Sequence, residues 1–425
     1  MTGRFPHQAT SGPLPWRGCA AGAVMVAGLV AVPALAQDAS GVLLRFGVSQ
    51  ELRHETNPGL NTDDVQSETS LRTNLSADLI SETVSDRLVL SASGALEFGD
   101  VETRDETVFV DPDLQLSYRR EAARSAFDVT ATLRERDVDT LDFDFELADD
   151  GALLVSSATG LGRQRVTSAR IGLDLWRDTP ARLRLSYGVT DTRYVDVTDP
   201  NLTGSQRHNT RAALTLDFSP VTSLTTTLSH TLLEQEDDDD TQSTALSFNL
   251  QNERPDGVFD IAGSLTASDE GNRTNLSVGR SLETPRGVMT GRLGLSQEIA
   301  GSIVVVGSLN WQQPLPRGTF SAGISQNVGE NERGEETQLS LLNLGLSHEF
   351  SPSLSGNFGL GLRSAQVDDV ETSSADLSAS LRYEVTQDWG LNFSASHRIR
   401  EEDGASAAES TTFGVSLSRT FEVRP

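Results

Sequence analysis

Leu224-Thr225-Thr226-Thr227-Leu228-Ser229-His230-Thr231-Leu232 alternates: Leu224, Thr226, Leu228, His230 and Leu232 form one series, Thr225, Thr227 and Ser229 the other. A period of two over this length puts one apolar and one wet face on an extended strand, and the 3.6-residue spacing of a helix fits it poorly. The same pattern recurs far away in the chain. Leu88, Leu90, Ala92, Gly94, Leu96 and Phe98 stand against Arg87, Val89, Ser91, Ser93, Ala95 and Glu97. Ala375, Leu377, Ala379, Leu381 and Tyr383 stand against Ser374, Asp376, Ser378, Ser380 and Arg382.

Between such segments the connections fall into two alternating kinds. One is short and often carries proline: Asp178-Thr179-Pro180, Ser219-Pro220-Val221, Arg254-Pro255-Asp256, Thr284-Pro285-Arg286, Gln313-Pro314 and Ser351-Pro352-Ser353, with 80–86, 119–124 and 386–389. The other is longer and acidic, at 55–66, 100–107, 134–165, 195–207, 234–241, 268–273, 298–302, 329–336, 367–373 and 401–409. Nine of the first and ten of the second predict about 20 strands, within a range of 18–22. Strands of about 9–11 residues cross a bilayer when tilted, and in hydrocarbon only a closed sheet pairs every backbone group. The expected fold is therefore all-β: a single antiparallel transmembrane β-barrel with short periplasmic turns and longer acidic extracellular loops.

Aromatic residues gather beside the short turns: Tyr118, Phe127, Trp176, Phe218, Phe259, Trp311, Phe320, Phe350, Trp389 and Phe421. They read as one interfacial girdle. Phe98, Tyr194, Phe393 and Phe413 form a sparser outer one.

Composition agrees. Mean hydropathy is −0.30, too low for a bundle of membrane helices. The 425 residues include 61 acidic and 34 basic ones, all of the latter arginine, for a net charge of −27, which argues against a nucleic-acid partner. At the N-terminus, Arg4 and Arg17 precede the apolar stretch Gly18 to Val32, and Pro33-Ala34-Leu35-Ala36 ends in an A-x-A site. Residues 1–36 are expected to be a secretory signal peptide and 37–425 the barrel. Cleavage would remove Cys19, the single cysteine, and make the net charge two units more negative.

The last segment, Thr411 to Phe421, has the alternation and terminal aromatic by which the outer-membrane assembly machinery recognises barrels, although Glu422-Val423-Arg424-Pro425 follow it. The first strand with His54-Glu55-Thr56-Asn57-Pro58-Gly59-Leu60, and the ending Tyr383-Glu384-Val385-Thr386-Gln387-Asp388-Trp389-Gly390-Leu391, resemble the uncharacterised outer-membrane β-barrel family of the porin 2 type. The resemblance implies the outer membrane of a Gram-negative bacterium and a pore. Some members are associated with surface polysaccharide. It carries no catalytic residues.

About twenty strands close into a cylinder of roughly 40 Å, too wide for side chains to fill. Arg72, Arg170, Arg211, Arg363 and Arg398 fall in the wet register at upper levels of the wall. The longest loop, 134–165, carries Asp142, Asp144 and Glu146 as well as Asp149 and Asp150. Folded inward opposite the arginines, it would make a charge-segregated constriction. Alternatively, its alternation over 142–147 and its Asp149-Asp150-Gly151 turn would let it continue strands five and six as a hairpin above the membrane. The arginines would also pair with Asp78, Glu97, Asp174 or Asp376 across the wall.

The expected function is a water-filled channel for passive diffusion of small polar solutes, with a preference for cations. A secretion-associated or structural barrel serving surface polysaccharide is the alternative, and an outer-membrane hydrolase a weaker one. His230, His348 and His397 fall in the apolar register, His54 and His208 lie near the outer rim, and no hydrolase motif accompanies them. The acidic run Glu234 to Asp240 lacks the spaced ligands of a calcium loop. No cofactor or metal is expected. The expected partners are the bilayer, lipopolysaccharide, the assembly machinery and small polar solutes.

Overall fold

A computed structural model describes residues 41–424, apart from positions 59, 61–64, 66, 100–107, 139–143, 148–152, 157–161, 199–201, 237–238, 270, 300, 332–335, 368–369 and 403–405 in the outer connections. The expected signal peptide, residues 1–36, lies outside the described residues.

In chain order the strands are β1 (Gly41–Thr56), β2 (Ser67–Glu82), β3 (Asp86–Gly99), β4 (Val108–Glu121), β5 (Ser125–Asp137), β6 (Asp144–Leu147) and β7 (Leu153–Ser156). There follow β8 (Arg163–Leu175), β9 (Ala181–Val195), β10 (Ser205–Ser219), β11 (Thr222–Gln235), β12 (Thr241–Arg254), β13 (Gly257–Ser268), β14 (Gly271–Thr284) and β15 (Gly287–Gln297). The last are β16 (Ile303–Leu315), β17 (Gly318–Asn331), β18 (Glu336–Ser351), β19 (Leu354–Val367), β20 (Val370–Glu384), β21 (Trp389–Glu402) and β22 (Ala408–Val423). Each wall strand pairs antiparallel with its neighbours, β5 pairs directly with β8, and β1 pairs with β22. Setting β6 and β7 aside as a separate hairpin, twenty of the twenty-two strands form a closed barrel.

Closure runs from Leu44 opposite Val423 to Thr56 opposite Thr411. The residues after Phe421 belong to it: Val423 pairs with Leu44, and Glu422 accepts a 2.8 Å hydrogen bond from Arg45. The tail thus lengthens the last seam rather than hanging free of it.

Apart from bulges between Ser93 and Ala95, Asp217 and Ser219, and Glu349 and Ser351, register is uniform, because a slip of one residue would turn every side chain to the wrong face. Leu228 stands opposite Ala212 and Leu246, whereas Thr227 stands opposite Ala213 and Ser247. The apolar series is the exposed one, with Leu52, Leu228, Leu265, Leu276, Leu293, Ile324 and Leu377 each more than half exposed. In water such a surface would aggregate, but in a bilayer it is the solvated face. Phe46, Trp176, Phe218, Trp311, Phe350 and Phe421 are exposed at the short-turn end, as a headgroup-level girdle requires. The outer girdle needs one correction. Tyr194 lies in the other register, packs with Val197 and Leu202 against the fully buried Val138, and receives a 3.0 Å hydrogen bond from Gln164.

The nine short turns all occur, with one displaced. Gln313 and Pro314 lie inside β16, and its turn is at 316–317. Pro314, opposite Thr319, is one rung from the strand end, where a missing N–H is tolerated. Pro255-Asp256-Gly257 and Pro285-Arg286-Gly287 are two-residue turns closed by glycines at φ 130° and 136°. A Cβ at those glycines would fall 2.0 and 2.1 Å from the carbonyl oxygens of Ser281 and Gln312, so no other residue fits. On the outer side, two connections expected to be long are only two residues, 269–270 and 368–369, because their strands continue through the acidic stretches.

Candidate pore lining and constriction

The register opposite the apolar belt is mostly polar: Thr225, Thr227, Ser229 and Thr231 on β11 stand opposite Thr215, Ala213, Arg211 and Asn209 on β10. Arg72, Arg170, Arg211, Arg363 and Arg398 all lie in this inward register. Their partners follow the wall in part. Arg72 approaches Glu97 at 3.8 Å, as cross-strand pairing predicts, but donates its closest hydrogen bond to Asp111. Asp111 is presented by a bulge: the rungs Ser93–Asp113 and Ala95–Val110 leave Asp111 and Pro112 together opposite Gly94, with Asp111 at φ 50°. Asp174 bonds Arg184 at 3.0 Å, and Arg184 also reaches Asp128 at 3.3 Å. Arg170 instead points a 3.5 Å hydrogen bond at Ser186. Asp78 faces Arg45, and Asp376 faces Arg398, across their rungs.

Further inward pairs join Arg134 to Asp113 at 2.9 Å, Arg182 to Asp217 at 3.0 Å and Arg292 to Asp260 at 2.5 Å. The inward register of their strands was the signal that would have found them. Partly exposed pairs of this kind contribute only about 0–1 kcal/mol each, so their effect is a field in the bore more than stability of the wall. At the outer end of the bore the charges converge. Arg53, Arg72 and Arg398 line a cavity of about 160 Å³ together with Glu55, Glu68, Glu97, Asp111 and Asp137. Three cations against five carboxylates leave that region net negative.

The long connection between β5 and β8 does form a hairpin, with Asp144 opposite Ser156 and Leu147 opposite Leu153. It does not continue β5 and β8, which end by pairing Asp137 with Arg163. Instead β7 pairs with β17, Leu154 beside Glu330 and Val155 beside Asn331. Counting wall strands, β5 and β8 are fifth and sixth and β17 is fifteenth, so the loop spans the mouth to the opposite side. The pairing is parallel. Since β17 runs outward from its periplasmic turn, β7 also runs outward and β6 runs toward the periplasm. The backbones of Asp144 and Glu146 are thus carried to the far wall, while Asp142 lies outside the described residues.

Chain length adds a constraint. The eight residues from Val155 to Arg163 reach at most about 29 Å, less than the roughly 40 Å bore of a circular 20-strand barrel. The mouth is therefore narrower than that circle between β8 and β17. Two observations place an inward bend at the outer end of β17. Pairing of β17 with β16 stops at Gln326 and Gly307, although β16 continues to Ile303 and β17 to Asn331. Arg273 of β14 reaches past β15 and β16 to donate a 3.3 Å hydrogen bond to the Gly329 carbonyl of β17. Where β16 no longer pairs, this guanidinium supplies a donor and β7 takes the free edge above it.

The five histidines of the barrel segment all occupy the outward register. His54, His208, His230 and His397 lie 2.8–2.9 Å from the hydroxyls of Thr69, Tyr187, Thr244 and Thr411. His348 packs edge-on against Phe350.

No family model and no curated protein matches the sequence. Solved structures do. The siderophore receptor PirA of Pseudomonas aeruginosa is 10% identical, with a TM-score of 0.50 over 91% of this chain and 81% of that one. A mutant of the ferric enterobactin receptor PfeA of Pseudomonas aeruginosa, in complex with enterobactin, is 8% identical, with a TM-score of 0.53 over 91% and 82%. OpdO of Pseudomonas aeruginosa is 14% identical over 90% of this chain and 98% of that one, with a TM-score of 0.42. At such identities the receptors speak for the fold alone. Together with the apolar belt and the girdle, that fold is the outer-membrane β-barrel.

Proposed function

We propose that this chain is an outer-membrane channel of the porin 2 type, through which small polar solutes diffuse with a preference for cations. One observation carries the reading: a hairpin from one side of a wide, polar-walled barrel pairs with the opposite wall. The described residues thus cross the bore at its mouth. The acidic hairpin and the arginine-bearing upper wall would then impose a transverse field on a passing solute. Residues 1–36 direct export and are removed, and the closing strand β22 addresses the barrel to the assembly machinery. Arg163 and Arg165 flank Glu135 at 2.7 Å on the outward register above the belt, where phosphates of lipopolysaccharide would meet them.

The test is single-channel recording in planar bilayers. The wild type is expected to give stepwise conductance and a cation-selective reversal potential. Asp144→Asn with Glu146→Gln should lower that selectivity, and Arg72→Gln with Arg398→Gln should raise it. A silent wild type that conducts once the hairpin is removed would favour the secretion-associated barrel. A conducting wild type whose selectivity ignores all four substitutions would remove the charged constriction from the account.

A further inference from the structure

The inward bend of β17 has a reverse side. Outside the wall, at the last rung shared by β16 and β17, a cleft of about 500 Å³ crosses β15 to β19. Gly307 and Gln326, the residues of that rung, line it. So do Leu293, Val305, Leu309, Ile324, Leu342 and Leu362, all in the outward register. Leu293 is 67% exposed and Val305 56%. Gln326, Ser340 and Ser364 supply its outward polar side chains and stand on the outer-leaflet side of Ile324, Leu342 and Leu362 along their strands, while Arg292, Ser308, Ser325 and Arg363 border it from the inward register. The size lies within the roughly 300–1,000 Å³ of sites that hold small organic molecules.

From these observations we infer that the cleft is a binding site for an acyl chain of an outer-leaflet lipid. The chain lies among the leucines, Val305 and Ile324, and its ester or headgroup oxygens meet Gln326, Ser340 and Ser364. Three features select this occupant. The cleft opens within the apolar belt, so hydrocarbon is what reaches it. Its outward polar side chains sit at one end only, the end nearer the outer headgroups. Gly307 keeps its floor low, since a Cβ there would fall 2.7 Å from the Arg292 carbonyl oxygen. A seated chain fills the space vacated when β17 leaves β16, and so favours the bent wall on which the hairpin docks. The inference concerns the outer surface and stands independently of what crosses the bore.

The barrel, extracted and exchanged into a delipidating detergent, is examined by native mass spectrometry, with folding checked by the migration of unheated samples on a gel. Wild type is expected to retain one diacyl or larger lipid per chain, and to regain one saturably when phospholipid is added back. Ser340→Phe and Ser364→Phe fill the cleft with a side chain the belt accepts, and each should lose that lipid at least tenfold more readily. Thr226→Phe, in the outward register of β11, should retain it like wild type. Equal retention in all four proteins, or no saturable rebinding to the wild type, would overturn the site. Conductance is recorded on the same samples, so loss of the lipid site and loss of the channel are read separately.

Discussion

Replacing residues 144–156 by a short Gly-Ser linker is expected to raise single-channel conductance severalfold and to weaken ion selectivity. The wall does not depend on the hairpin: β5 pairs with β8 from Ser125–Leu175 up to Asp137–Arg163, and closure by β1 and β22 lies elsewhere. The deletion should therefore leave a folded barrel. What it removes is an obstruction that starts at the fifth and sixth wall strands and ends on the fifteenth. A 20-strand cylinder of about 40 Å has far more area than its own inward side chains occupy, so in the proposed channel ion flow would be limited by what crosses the mouth. An unchanged conductance would mean that the hairpin lies outside the current path. A milder form of the same test is Leu154→Pro, because proline cannot donate to the two-rung pairing with Glu330 and Asn331. It should make the conductance noisy rather than uniformly larger.

The second large effect concerns the wall. Leu228, in the middle of β11, is 51% exposed between Ala212 and Leu246 on the outward face. Leu228→Arg places a guanidinium near the bilayer midplane and should cost about 2–4 kcal/mol of folding stability. Its chain neighbour Thr227 is buried in the inward register. Thr227→Arg should cost less, limited to crowding against Ala213 and Ser247, because the long side chain can carry its charge past these small neighbours into the bore. Urea titration of refolding into thin bilayers measures both. Equal costs would show that the two faces do not differ in solvent.

These expectations rest on how much a strand pattern reveals. Strand number and facing were legible because parity is rigid between bulges, so Leu228 and Thr227 are assigned opposite faces from the sequence alone. The same parity gave the inward placement of Arg72, Arg170, Arg211, Arg363 and Arg398. Their partners were less legible. Arg72 finds Asp111 only because a bulge at Asp111 and Pro112 shifts β4 against β3, and no periodicity announces a bulge. Tyr194, an aromatic near a strand end, has the sequence position of a girdle residue. In fact it lies beyond the belt, where Val138, Val197 and Leu202 supply its neighbours. Pro314 misled in the opposite way, since proline near a turn is also tolerated on the last rungs of a strand.

The hairpin shows where sequence reasoning ran out. Alternation over 142–147 and an Asp-Asp-Gly turn identify a hairpin, but not where it docks. That depends on the early end of β16–β17 pairing, the bend of β17 and the freed edge at Glu330 and Asn331. These are properties of strands some 170 residues further along the chain. Local pattern carries no record of such a meeting, which shows only once the strands are placed.

The central claim is a closed wall with lipid outside and water within, and it is tested most directly by solvent accessibility along a strand of the wall such as β11. There, Thr227, Ser229 and Thr231 are covered by their neighbours, so the more open strand β12, paired to β11, carries the probes. Single cysteines replace Thr244, Ala245, Leu246, Ser247, Phe248, Asn249, Leu250 and Gln251 in turn in reconstituted vesicles. They are labelled with a membrane-impermeant thiol reagent and, separately, probed for collisional quenching by a lipid-soluble spin label. Labelling at Ala245, Ser247, Asn249 and Gln251, with lipid quenching at Thr244, Leu246, Phe248 and Leu250, is the predicted alternation. Uniform labelling of both series, or lipid contact at the odd-numbered positions instead, would contradict it.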